Sequence, residues 1–199
     1  MIRRFVVFFL VLAACFLVPK VPAIVAWDLR AVLALAARRT AGFNQFFFTF
    51  SDLGGTYGFL VFLIFPVLLF LFRKRFVTAA IYFVGVGLLK LSVSLVKVAV
   101  LRPRPMEGLA SLNTYSMPSG HAANAVFMFG ILAVYCWQKI SHPFLRGVAV
   151  FICCLGIAFI DLSRVYLGVH FPSDVILGSL YAASGLWALQ SLRRDVFQF

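Results

Sequence analysis

Long apolar runs separated by short polar stretches make up most of the chain. Apolar runs long enough for the core of a bilayer cover residues 5–19, 55–72, 76–97, 121–138, 144–162 and 173–192. This pattern predicts an all-α fold, a six-span transmembrane helical bundle. No internal repeat, low-complexity segment or domain boundary interrupts the pattern, so residues 1–199 are predicted to form a single integral membrane domain.

The segment between the first two runs has few polar residues. We interpret residues 22–40 as an interfacial helix on the outer side of the membrane, with a packed core helix as the alternative. The sequence SDLGGTYG at 51–58 is interpreted as a loop that leads into the next helix.

Composition supports the membrane assignment. Hydrophobic residues make up 63% of the chain and charged residues only 12%, whereas soluble domains are nearer half apolar and a quarter charged. The net charge of +12 comes without a nucleic-acid motif, so we expect membrane lipids and no nucleic acid as partners. The four cysteines lack metal-ligand spacing and are interpreted as buried thiols: Cys15, Cys136, Cys153 and Cys154.

The N-terminal sequence MIRRFVVFFLVLAAC allows two interpretations. It is typical of a first span, which we favour because the apolar run continues past Cys15 to Val18. It also resembles a lipoprotein signal that would be cleaved at Cys15.

The basic residues of the short loops indicate orientation. One side holds nine, namely Arg3, Arg4, Arg73, Lys74, Arg75, Lys139, Arg146, Arg193 and Arg194. The other holds eight, namely Lys20, Arg30, Arg38, Arg39, Lys97, Arg102, Arg104 and Arg164. Three of the eight (Lys97, Arg104 and Arg164) are candidate ligand-binding residues, and setting them aside leaves nine against five. Both termini are therefore predicted to be cytoplasmic, with the 97–120 and 163–172 loops on the extracytoplasmic face.

Three polar stretches fall on that outer face: KVAVLRPRP at 97–105, MPSGHAAN at 117–124 and SRVYLGVHFPSD at 163–174. Lys97, Arg104 and Arg164 supply cations suited to phosphate oxygens. In the second stretch, Ser119 and Gly120 begin a helix whose free N–H groups favour an anion. These residues predict a phosphate-binding site.

Two histidines add catalytic chemistry to this site. Pro172 suits the first position of a helix, which places Asp174 in its first turn, where it can accept a hydrogen bond from His170. That bond would fix the tautomer of His170 and leave its other nitrogen as a nucleophile. His121 is then available as the general acid. Covalent phosphoryl transfer through phosphohistidine is the predicted chemistry.

Each stretch taken singly is more often a basic turn, a helix cap or an interfacial residue, but the three together resemble the signature of the type 2 phosphatidic acid phosphatases. That lipid phosphate phosphatase signature is Lys, six residues, Arg-Pro; Pro-Ser-Gly-His; then Ser-Arg, five residues, His, three residues, Asp. The chain matches it throughout residues 97–174. Its small size and lack of insertions indicate a bacterial-type member.

The resemblance implies a role for each matched residue. Lys97, Arg104 and Arg164 bind phosphate with help from Ser119 and Gly120. His170 is the nucleophile, Asp174 orients it, and His121 protonates the leaving group and later activates water. No metal or other cofactor is required.

The family leaves the substrate open. Undecaprenyl diphosphate is the first expectation, followed by phosphatidylglycerophosphate or phosphatidate, and lipid A is also possible. A transport or lipid-scrambling protein and a catalytically inactive binding member are the alternatives. Neither the oligomeric state nor the organism follows from the sequence.

Three further polar residues lie in or near the signature. Lys90, seven residues before Lys97, is either functional or, as we favour, paired inside the bundle with Asp161. Arg102 is expected to contact lipid head groups. Ser163 either binds phosphate or caps a helix.

Overall fold

The computed structural model describes residues 2–110 and 112–190, and these residues form helices and no strands. The α-helices are α1 Ile2–Leu17, α2 Pro22–Ala36, α3 Ala41–Leu53, α4 Thr56–Phe72, α5 Phe76–Val100, α6 Gly120–Ala125, α7 Ile131–Lys139, α8 Pro143–Tyr166 and α9 Pro172–Leu189. A 3-10 turn, Val18–Lys20, follows α1, and a π-helical segment, Val126–Gly130, joins α6 to α7. The all-α prediction is confirmed.

Five helical segments of the described chain are long and apolar enough to cross a membrane: Ile2–Lys20, Ala41–Phe72, Phe76–Val100, Gly120–Lys139 and Pro143–Tyr166. They correspond to the first five predicted spans. Helix α9 occupies most of the sixth predicted run but is not one of these segments. The six-span count therefore stays a prediction. Residues 191–192 of that run, and Arg193 and Arg194 of the orientation argument, lie outside the described residues.

Two helices, where one was predicted, lie between the first two runs. Helix α2 falls within residues 22–40 and buries Asp28 and Val32 against α8 and α9; its location in the membrane interface stays a prediction. Helix α3 was not predicted. It begins after Thr40, whose Oγ1 accepts a hydrogen bond from Phe43 N at 3.3 Å. The predicted loop at 51–58 is largely helical, because α3 and α4 leave only residues 54–55 between them.

Prolines fix the helix boundaries that matter most for the polar stretches. Helices α8 and α9 both begin at a proline, Pro143 and Pro172, whose locked φ suits the first helical position. Helix α5 ends where Leu101 takes a left-handed conformation, with φ 58°, and Pro103 and Pro105 follow. Residues 101–110 and 112–119 consequently lie outside the helices, between α5 and α6.

The apolar core is built around α9, which packs against α1, α5, α6 and α8. Large side chains such as Tyr181 and Tyr82 are fully buried there. Other apolar side chains point outward along the spans; Leu95 and Phe151 are more than half exposed, as expected of surfaces that face lipid. Cys15 and Cys153 are buried as predicted, whereas Cys136 is only partly buried and Cys154 is exposed.

A buried ion-pair cluster fastens α2 to the loop after α5 and to the start of α9. Arg102 donates from Nη2 to Asp28 Oδ2 at 2.7 Å and from Nη1 to Asp174 Oδ1 at 2.5 Å. Ser173 also donates to Asp28, from its backbone N at 2.9 Å and from Oγ at 2.5 Å. All four residues are buried. The prediction that Arg102 contacts lipid head groups is therefore wrong, because its guanidinium has two carboxylates inside the protein.

We expect Asp28→Ala to destabilise the fold, because it leaves Nη2 of Arg102 and the two Ser173 donors without their acceptor. Removing one partner of a buried ion pair costs about 3–5 kcal/mol. Thermal unfolding of the purified protein in detergent measures the effect. The exposed Asp52 provides the matched control, and Asp52→Ala is expected to unfold close to the parent temperature. Equal unfolding temperatures for Asp28→Ala and the parent would contradict a stabilising role.

Candidate active site

The three polar stretches meet around the turn between α8 and α9, where His170 is only 2% exposed. The carbonyl of Arg164 accepts hydrogen bonds from Val169 N and His170 N, both at 3.2 Å. Gly168 reverses the chain with φ +67°, and a Cβ there would lie 2.6 Å from the carbonyl oxygen of Glu107. Both the conformation and the close approach require glycine, and the resulting turn brings His170 back over the helix ends.

The two ring nitrogens of His170 face different partners. Nδ1 lies 3.5 Å from Asp174 Oδ2 and 3.4 Å from Ser116 Oγ. Nε2 lies 3.1 Å from Nη1 of Arg104. The structure thus brings His170 and Asp174 together, and Nε2 is the nitrogen that faces Arg104.

Burial lowers the pKa of His170 to about 3, with the carboxylate of Asp174 acting in the opposite direction and Lys97 and Arg104 adding to the decrease. A neutral imidazole carries a lone pair on one nitrogen. The lowered pKa favours the neutral ring of His170, with a lone pair on one nitrogen. This is the state that a nucleophile needs.

The Asp174 carboxylate is held from several sides. Oδ2 accepts hydrogen bonds from Phe171 N at 2.9 Å and from the hydroxyl of Ser116, while Oδ1 faces Arg102.

Sequence analysis missed two residues of this network, Ser116 and Asp28. Ser116 gives no signal there, since it is a lone serine between two parts of the signature. Asp28 does give one, because a carboxylate in an apolar helix requires a buried partner.

Lys97 and Arg104 lie on the loop side of the site and bond to neutral oxygens. Lys97 Nζ donates to the carbonyls of Tyr115 and Ser116 at 2.8 and 3.0 Å. Arg104 donates to Val169 O at 2.5 Å and to the carbonyl and hydroxyl of Thr114 at 2.7 and 2.8 Å. Burial lowers the pKa of Arg104, with Asp174 opposing that shift. Because these oxygens are uncharged, the positive charge is available to an anion.

The Pro-Ser-Gly-His stretch forms the start of α6, packed on α9. Ser119 N donates to the carbonyl of Asp174 at 2.9 Å, and Ser119 Oγ accepts from Ala122 N at 3.4 Å as the N-cap. A Cβ at Gly178 would lie 2.5 Å from Ser119 O. Glycine at 178 therefore lets α9 approach this turn closely, and the hydrogen bond from Ser119 N holds the start of α6 against Asp174.

His121 faces the glycine pair between α3 and α4. A Cβ on Gly54 would lie 3.5 Å from His121 Cδ2, and one on Gly55 would lie 3.9 Å from its Nε2. Sequence analysis assigned this pair only to a loop. Because glycine has no side chain, Gly54 and Gly55 leave room for the imidazole beside the backbone.

Arg164 is buried, and its Nη1 contacts Ser51 Oγ. Its Nε has no hydrogen-bond partner among the described residues. An unsatisfied buried donor is costly, and a phosphate oxygen is a group that would satisfy it.

Ser163 Oγ donates to the carbonyl of Ile160 at 2.6 Å, within its own helix. This hydrogen bond is neither a helix cap nor a contact to the phosphate-binding residues.

The expected Lys90–Asp161 pair is wrong. Lys90 Nζ donates to Asn124 Oδ1 at 2.7 Å, while Asp161 Oδ2 accepts from Ser179 Oγ at 2.8 Å. Lys90 Nζ also lies 3.7 Å from the position that a Cβ on Gly120 would occupy. Lys90 therefore borders the site.

Comparisons with known proteins assign the chain to one family. The family model described as the PAP2 superfamily matches residues 78–197, more than half of the chain. Phosphatidylglycerophosphatase B of Bacillus subtilis (strain 168) is 36% identical over 67 residues, covering 33% of each protein. Lipid phosphate phosphatase delta of Arabidopsis thaliana is 30% identical over 87 residues, covering 42% of this chain and 21% of that protein. The chain thus spans a third or less of the length of these two relatives.

Solved structures share the fold. A transmembrane PAP2-type phosphatidylglycerolphosphate phosphatase from Bacillus subtilis superposes with a TM-score of 0.79 at 23% identity, covering 98% of this chain and 96% of that one. Aquifex aeolicus LpxE superposes with a TM-score of 0.56 at 26% identity, covering 81% and 94%. Together with the family match and the apolar helices, these comparisons show that the chain is an integral membrane protein that belongs to the PAP2 superfamily.

Proposed function

We propose that this protein is a membrane lipid phosphatase that works through a phosphohistidine on His170. The observation that carries the proposal is the His170 ring, which presents Nδ1 to Asp174 and Nε2 to Arg104, 3.1 Å away. This arrangement combines an oriented, unprotonated nucleophile with a cation for the phosphate it attacks. The phosphatases among the relatives and the family membership support the reaction class.

The first step forms a bond between His170 Nε2 and the phosphorus and breaks the bond from phosphorus to the leaving oxygen. Lys97, Arg104 and Arg164 neutralise the phosphoryl oxygens, and Arg164 Nε gains the acceptor that it lacks. His121 gives a proton to the leaving oxygen. In the second step His121 takes a proton from water, and the water oxygen bonds to phosphorus. The bond from phosphorus to Nε2 breaks, its electron pair returns to the ring, and inorganic phosphate and neutral His170 are released.

The substrate has an apolar body in the bilayer and a phosphate or diphosphate at the surface. Undecaprenyl diphosphate is our first candidate, and phosphatidylglycerophosphate, phosphatidate and lipid A follow. One relative is named a phosphatidylglycerophosphatase, which supports the second candidate. The alternative of a lipid-transport or scrambling protein does not explain the His170–Asp174 arrangement. The alternative of a catalytically inactive binding member does not explain it either.

His170→Ala is expected to abolish nearly all turnover, because Nε2 is the attacking atom. The parent protein should form an acid-labile, base-stable phosphoenzyme with labelled lipid phosphate, and His170→Ala should form none. The exposed His142 supplies the control, and His142→Ala should label like the parent. Substantial turnover in His170→Ala would mean another nucleophile or direct attack by water.

Activity is expected to survive EDTA within a few-fold, because three cationic side chains already stabilise the developing charge. Phosphate release from the same lipid phosphate, measured with and without excess EDTA, tests this. Loss of activity that Mg²⁺ or Zn²⁺ restores would overturn the proposed metal independence.

His121→Ala is expected to slow phosphoenzyme formation from phosphatidate much more than from undecaprenyl diphosphate. An alkoxide needs its proton in the transition state, and a general acid typically contributes about 10²- to 10⁴-fold, whereas a lipid monophosphate is a weaker base. Single-turnover rates isolate this step from the later attack of water. Equal losses on both substrates would remove His121 as the leaving-group acid.

We further propose that the site faces the extracytoplasmic side and that both termini are cytoplasmic. In a cysteine-free background, Met106→Cys should react with a membrane-impermeant thiol reagent in intact cells, because Met106 is 96% exposed on the loop of the site. Ser141→Cys, exposed between α7 and α8 on the opposite side, should react only after lysis. The reverse pattern would invert the orientation.

A further inference from the structure

Lys90 is a cation that lies beneath the Pro-Ser-Gly-His stretch. Neither the signature nor the proposed mechanism gives this lysine a role. It lies on α5 two turns before Lys97, on the same helical face and about 10 Å deeper in the membrane. Its ammonium is 3.7 Å from the Cβ position of Gly120, so it reaches the wall of the site from below.

The charge of Lys90 is not neutralised by the protein. None of the ion pairs among the described residues includes it, and its hydrogen-bond acceptor is the neutral Oδ1 of Asn124, at 2.7 Å. The ring of Phe59, 5.3 Å away, offers only a weak cation–π contact. An ammonium held in a membrane protein without a carboxylate is a candidate for binding an anionic ligand.

The surroundings fix the position of this ammonium. Asn124 is buried, and its Nδ2 donates to the carbonyl of Gly54 at 2.8 Å. That bond turns Oδ1 toward Lys90. Gly54 and Gly55 are also the residues that His121 faces. Lys90 and His121 therefore both lie beside one unit, formed by Asn124 and the glycine pair.

This placement sets Lys90 on the leaving-group side of the reaction. Nucleophile and leaving group lie on opposite sides of the transferred phosphorus. His170 Nε2 is on the Arg104 side, and His121 is the acid assigned to the leaving oxygen. A cation that shares the Asn124 and glycine-pair unit with His121 is close to the charge that develops on that oxygen.

We propose that Lys90 forms a second anion subsite, which binds the phosphate of the leaving group and makes the enzyme selective for lipid diphosphates. The inference rests on the proposed phosphatase function. The Nε2–phosphorus bond to the terminal phosphoryl group forms, and the bond to the bridging oxygen breaks. The electron pair stays on that oxygen, and the lipid monophosphate leaves with Lys90 beside it. A monoester has no second phosphate for this subsite.

Lys90→Met, which keeps an unbranched side chain one atom shorter and removes its charge, tests the proposal. Single-turnover phosphoenzyme formation is compared for undecaprenyl diphosphate and phosphatidate. We expect the second-order rate constant for the diphosphate to fall about 10- to 100-fold, the range that corresponds to one hydrogen bond to a charged group. The phosphatidate value should change less than about 3-fold. Lys139→Met, an exposed lysine at the end of α7, should leave both rates unchanged.

Two results would overturn the subsite. Equal losses on both substrates would mean that Lys90 supports the fold or the shared phosphate, and unchanged rates on both would mean that it has no role in binding. Lys90→Arg separates charge from packing, since it should recover much of the diphosphate rate.

A binding measurement keeps the subsite testable if the parent protein has no turnover. Inorganic pyrophosphate and orthophosphate are titrated against the purified protein, with the shift of the thermal unfolding temperature as the readout. The parent should bind pyrophosphate about 10-fold more tightly than orthophosphate, and Lys90→Met should lose this preference while it still binds orthophosphate. No pyrophosphate preference in the parent would overturn the subsite independently of catalysis. A preference without turnover would instead overturn the phosphatase function.

Discussion

The buried guanidinium of Arg102 is the constraint on which the rest of the site depends. It joins Asp28 on α2 to Asp174 at the start of α9, so one cation neutralises two carboxylates in an apolar bundle. Without that cation both carboxylates would be buried and uncompensated, which costs several kcal/mol for each ion. The same contact holds Asp174 in place, and Asp174 in turn orients His170. The stability of the helix packing and the geometry of the nucleophile therefore depend on one residue.

Cations in this protein divide into two kinds by their partners. Arg102 is paired with the carboxylates of Asp28 and Asp174 and joins α2, the loop after α5 and the start of α9. Lys97 and Lys90 bond instead to neutral oxygens. The difference indicates function, because a partly buried charge that no carboxylate neutralises favours a ligand of opposite charge. The charge of the bonding partner therefore distinguishes structural cations from candidate ligand-binding cations, which the residue type alone does not do.

Backbone geometry decides how closely the three polar stretches approach each other. Gly168 supplies a left-handed turn after α8, and Gly178 removes the side chain that would collide with Ser119. Gly54 and Gly55 leave room for the ring of His121. Each glycine is remote in sequence from the residue it accommodates, so its packing role follows from the approach of two helices and not from the local pattern.

The sequence by itself determined the all-α class, the boundaries of most apolar helices and the eight candidate site residues. Apolar runs longer than a bilayer core leave helices as the structure that satisfies the backbone, and a spaced signature identifies side chains without coordinates. Only the tertiary structure decided the partners of Arg102, Lys90 and Asp28, since those contacts join residues 34 to 145 positions apart. Residue type gives the charge of a side chain, but the packing of helices decides whether a carboxylate, an amide or the substrate lies beside it.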